Sequence, residues 1–114
     1  MKIKLNKLDS KVIKSNEVYD VIDNTNLKNL VVSKTVLHPG KETGGHSHKD
    51  QEEVYMFSKG SGKMKVGEKT YNVRQGSIIL IPKGDFHKVW NIKKDKLKKE
   101  DLEFICVFEG KRNN

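Results

Sequence analysis

Cysteine is all but missing: Cys106 stands alone among 114 residues, which excludes an internal disulfide and fits a reducing compartment. Its setting, "LEFICVFEG", reads as a buried structural thiol. No apolar run approaches the length needed to cross a bilayer, and no signal-peptide core follows Met1, so a soluble, cytoplasmic chain with no membrane partner is expected. Arginine occurs only at Arg74 and Arg112, and aromatics make up 7% of the chain. These shortages bear on the net charge of +8, which would otherwise suggest a nucleic-acid partner. The densest basic run, "KKDKLKKED" at 93–101, mixes five lysines with three acids and has no aromatics, the pattern of a solvated loop. No nucleic-acid partner is expected, and the excess charge is left to draw in a small anion. Helix-turn-helix pattern, internal repeat and linker are all lacking, so residues 1–114 read as a single domain with its core at about 30–109.

What is present is a series of short apolar stretches of period two, bounded by Gly, Pro and Asn. Strands are expected at 11–14, 17–22, 30–37, 46–48, 53–58, 62–66, 69–73, 77–81, 86–92 and 102–109. "VGEKTYNV" has the form of a hairpin turning at Gly67. Many strands without crossover helices imply an all-β antiparallel sandwich or barrel. The first ten residues and the terminal "KRNN" look loosely attached.

Within "GGHSHKDQEEVYMFSKG", His46 and His48 are two residues apart, a spacing that puts both side chains on one face of a strand. Glu53 heads the next strand after a short link that can fold back toward the pair. His87, opening a strand after the turn "PKGD", supplies a third imidazole. Three neutral imidazoles and one carboxylate suit a divalent transition metal (Fe, Mn, Ni, Co, Cu or Zn) better than Mg or Ca. His38, before "PG", is expected to be an exposed turn residue, and Gly44 and Gly45 to let backbone approach the metal strand.

The sequence resembles the cupin superfamily. Gly40, His46, His48, Glu53 and Gly60 match its first motif, and Gly76, Pro82, Gly84, His87 and Asn91 its second, with fifteen residues between. The resemblance implies a single-domain jelly-roll β-barrel with one metal held by His46, His48, Glu53 and His87. It leaves the reaction open, since the superfamily includes isomerases and epimerases of sugar phosphates, dioxygenases, lyases and noncatalytic binding domains.

Two function classes follow: a metalloenzyme acting on a small oxygenated or anionic metabolite, or a noncatalytic binding or sensor module for a sugar-like or acid ligand. For the enzyme, Tyr55 is the candidate catalytic residue, two positions from Glu53 on the same strand face. Phe57, next on that face, reads as packing. Strand parity makes both faces of the barrel wall apolar and turns Trp90 outward, so a homodimer through the face carrying Trp90 is expected; cover by the N-terminal strands is the alternative.

Overall fold

In the computed structural model, which describes residues 1–8, 11–92 and 99–110, the period-two stretches become nine strands. These are β1 (Lys11–Ser15), β2 (Tyr19–Asn24), β3 (Leu30–Leu37), β4 (Glu53–Lys59), β5 (Ser61–Val66), β6 (Lys69–Arg74), β7 (Ile78–Ile81), β8 (His87–Trp90) and β9 (Leu102–Glu109). They form a six-stranded sheet of order β1-β2-β3-β9-β4-β7 and a three-stranded sheet of order β6-β5-β8. Every pairing is antiparallel, as the all-β jelly-roll expectation requires. Among the described residues no helix is long and apolar enough to cross a membrane.

Register decides what faces inward. Across the large sheet, Val31, Phe108, Glu53 and Ile81 lie in one row, Ser33, Cys106, Tyr55 and Ile79 in the next, and Thr35, Phe104 and Phe57 in a third. β4 and β8 bury alternate residues, as a strand lining a core must. Met64, Val66, Val73 and Val89 of the small sheet join Leu37, Phe57, Leu102 and Phe104 of the large one in a single core. Each such side chain contributes roughly 1.5–3 kcal/mol by leaving water. Cys106 is buried there, as its sequence context suggests.

The outer faces of the two sheets differ. On the large sheet Val32, Val107, Val54 and Leu80 form a row, with Lys34, Ile105, Met56 and Ile78 beside it. Leu80 is 69% exposed and Ile78 61%. On the small sheet Lys63 pairs with Trp90 and Lys65 with Lys88. Trp90 is half-buried, and the Lys88 ammonium lies 5.5 Å from its ring centroid, so its own neighbour covers the ring. The most exposed apolar strand residues, Ile78 and Leu80, are thus on the sheet opposite Trp90. β1 and β2 extend the edge of the large sheet at β3, so these two strands lengthen the sheet and do not screen its outer face.

Two local expectations are corrected. Residues 46–48 form no strand; His46 makes one isolated bridge to His87. The N-terminal segment is anchored at Leu8, which is buried and whose carbonyl accepts a 2.6 Å hydrogen bond from the Asn24 amide. Most of the lysine-rich run, residues 93–98, and the terminal "KRNN" lie outside the described residues.

Candidate metal centre

The four residues singled out by spacing converge. Glu53 and His87 are the first residues of β4 and β8, 6% and 2% exposed, so their side chains project from facing sheets into the barrel. His46 and His48 come from the connection between β3 and β4. His46 is tied to His87 by a pair of main-chain hydrogen bonds of 3.1 and 2.9 Å, and the His48 carbonyl accepts one of 2.7 Å from Gly84. One candidate ligand atom from each of the four lies within 4.8 Å of the others. His48 Nε2 is 3.3 Å from Glu53 Oε1, and His87 Nε2 is 3.7 Å from Glu53 Oε2. The Nε2 atoms of His46 and His87 face each other at 3.0 Å.

Tautomer follows from the surroundings. His87 Nδ1 lies 3.2 Å from the Asp85 carbonyl, which can only accept, so Nδ1 carries the proton and the Nε2 lone pair points into the cluster. Burial pushes the His87 pKa below its ordinary value; the Asp85 carbonyl and the Glu53 carboxylate oppose the shift, and His48 adds to it. The ring is therefore a neutral donor at neutral pH. Three imidazoles and one carboxylate, with two ring nitrogens at hydrogen-bond distance, are a donor set that could hold a divalent transition metal. His46 is exposed and His48 half-buried, so the cluster opens to solvent on their side while Glu53 and His87 close the other.

Tyr55 lies beside the cluster. Its ring meets that of His87 edge-on at 5.6 Å and stacks on Phe104 at 5.1 Å, and it is 6% exposed. Phe57 packs on Phe104 in the core, away from the ligands. His38 is not brought to the cluster and is not an exposed turn residue: it is half-buried between Asp101 at 3.2 Å and Asp20 at 3.6 Å. Asn91, 1% exposed, uses its amide to donate to the carbonyls of Leu37 and Glu100. Sequence reasoning missed Asp85, whose contribution is a carbonyl that every residue type possesses, and so left no compositional signal.

The chain matches the Cupin domain family over residues 33–108. It is 32% identical over 81 residues to an uncharacterized protein of Streptomyces coelicolor, a match covering 71% of this chain and 70% of that one. Among solved structures, KdgF from Halomonas sp. superposes with a TM-score of 0.77 at 11% identity, over 92% of this chain and 90% of that chain. An oxalate decarboxylase gives a TM-score of 0.77 at 22% identity, over 94% of this chain but 30% of the other. At such identities these two likenesses speak for the fold. With its two antiparallel sheets and its His/Glu cluster at the places the motifs specify, the chain belongs to the cupin family.

Proposed function

We propose that His46, His48, Glu53 and His87 hold one divalent transition metal (Fe, Mn, Ni, Co, Cu or Zn), and that residues 1–114 form a single-domain metalloenzyme acting on a small oxygenated or anionic metabolite. The observation that carries this is the convergence of four ligand atoms within 4.8 Å at the open end of the barrel. When bound, such an ion supplies Lewis acidity and, for redox-active metals, oxygen activation. With neutral imidazoles, one carboxylate leaves a divalent site at a residual single positive charge, which favours an anionic or bidentate oxygen ligand. The net charge of +8 favours approach of the same class of molecule. The structural neighbour named for oxalate acts on a molecule of this class.

The chain's own residues have separable tasks. Glu53 supplies the one negative charge, His87 is held in the Nε2-donor tautomer by Asp85, and Tyr55 is a proton donor or shuttle beside His87. Isomerase, epimerase, lyase and dioxygenase chemistry all fit this set, and a binding or sensor module would use the ligands alone. Tyr55→Phe separates enzyme from module. For an enzyme that uses the phenol, metal content by elemental analysis stays at about one per chain while turnover in metabolite screens, run with and without oxygen, falls by about 10²-fold or more. A chain without metal after refolding in supplemented Fe, Mn, Ni and Zn removes the proposal, and unchanged turnover removes the role of Tyr55.

We further place the chain in the cytoplasm as a homodimer. The apolar outer face of the large sheet, with Ile78 and Leu80 exposed, is the surface a second copy would cover. Its charges are largely self-neutralised, Glu103 pairing with Lys34 at 2.9 Å and Lys59 at 3.6 Å, whereas the small sheet would bring lysines together.

A further inference from the structure

Four residue steps separate Glu42 from His46, while three separate their partners Trp90 and His87 on β8. The first segment thus carries one residue too many. Thr43 is fixed on one side of the excess, its N–H on the Val89 carbonyl at 2.9 Å and its hydroxyl on the Val89 N–H at 3.0 Å. His46 is fixed on the other by its pair of bonds to His87. The surplus falls on Gly44-Gly45, with Gly45 at φ +76°, the left-handed glycine of a β-bulge. A bulge of this kind re-aims the side chain that follows it, and here the side chain that follows is His46.

Two adjacent glycines give this bulge little stiffness of its own. Phe86 supplies what is missing. A methyl group built on Gly45 would lie 2.5 Å from Phe86 Cζ, so the edge of the phenyl ring rests on the Gly45 backbone. The ring is 42% exposed and lies outside the buried core, with its edge against Gly45. Phe86 also belongs to the short turn that carries the Asp85 carbonyl on His87 and the Gly84 N–H on His48. An aromatic laid over a sheet glycine excludes water from the exposed backbone and narrows the glycine's conformations.

We infer that Phe86 is a positioning residue for the metal centre, locking the Gly44-Gly45 bulge so that His46 faces the other three ligands. This rests on the metal reading given above. Residues that orient metal ligands typically change affinity 10–100-fold when removed, so Phe86→Ala should weaken cobalt(II) binding by about that factor and shift the cobalt d–d spectrum. Phe86→Tyr should restore both. Gly45→Ala should also weaken binding, because its methyl meets the ring and an L side chain is strained at φ +76°, and the double variant Gly45→Ala/Phe86→Ala should recover the steric part alone, binding cobalt more tightly than Gly45→Ala. In the metal-free protein, Phe86→Ala should speed amide exchange at His46 more than at Tyr55. Unchanged affinity and spectrum in Phe86→Ala overturn the inference. So does a loss of affinity that only tracks lower urea stability of the metal-free protein, with the spectrum intact. A wild-type chain that takes up no cobalt would sink the metal reading alone; the His46 exchange rate would then still decide the role of Phe86, and equal rates in wild type and variant would reject it.

Discussion

Replacing Glu53 by glutamine keeps the side chain's shape and removes one charge, which makes it the sharpest test of what this residue is for. Its carboxylate is 6% exposed and faces His48 at 3.3 Å and His87 at 3.7 Å. In the metal-free protein the attraction lost is small, because burial keeps His87 neutral and a neutral ring has little charge to offer. The amide can also retain hydrogen bonds of its own, so urea unfolding of metal-free Glu53→Gln should stay within about 1 kcal/mol of wild type. With a cation in place the balance reverses. A divalent ion and a unit charge about 4 Å apart at an effective dielectric of about 20 attract by about 8 kcal/mol, and about 1.4 kcal/mol is tenfold in affinity, so with about half of this recovered by the amide oxygen as a neutral ligand binding should weaken by roughly 10³-fold. Cobalt titration against a competing chelator reads that number directly. His38→Ala, whose ring sits between Asp20 and Asp101 away from the cluster, is the control that should leave affinity unchanged. Equal cobalt affinity in Glu53→Gln and wild type would refute the ligand assignment. A stability loss as large as the binding loss would mean that Glu53 is a structural ion-pair partner.

The depressed His87 pKa has a signed consequence. The unfolded chain takes up a proton near pH 6.5, the folded chain only at lower pH, so the contribution to stability is intact above about 6.5 and is lost as pH falls through the folded value. Urea midpoints of the metal-free protein should therefore fall between pH 7.5 and pH 5, and His87→Gln should flatten part of that slope; identical slopes would remove His87 as the cause. For assembly, light scattering should find a wild-type dimer that Leu80→Lys converts to monomer and Trp90→Glu leaves dimeric. A wild-type monomer, or a dimer lost only in the Trp90 variant, would move or abolish the interface.

Much of the site could be read from the chain because ligand chemistry and spacing are properties of side chains. Glu53, Tyr55 and Phe57 alternate inward as parity requires, and His87 opens its strand after the Pro82–Gly84 turn. Where geometry depends on one extra backbone residue, period-two reasoning fails: residues 46–48 read as a strand, and the Gly44-Gly45 bulge that aims His46 left no mark except two glycines. Trp90 shows a related limit. Parity turned it away from the core, but carries no information on Lys88, two positions back, whose ammonium lies over the ring and gives it cover from within the chain. The surface left open instead comes from β7, a short edge strand whose exposed Ile78 and Leu80 stand in a sequence, "SIILIP", that looks like ordinary core.

Asn91 follows the last residue of β8, and its amide joins the carbonyl of Leu37, at the end of β3, to that of Glu100, just before β9. All three segments are held from inside the barrel, at a residue that is 1% exposed. Asn91 is consequently a three-way joint: one buried amide ties the end of β3, the end of β8 and the approach to β9 together, so the two sheets cannot part at this corner without leaving that amide unpaired.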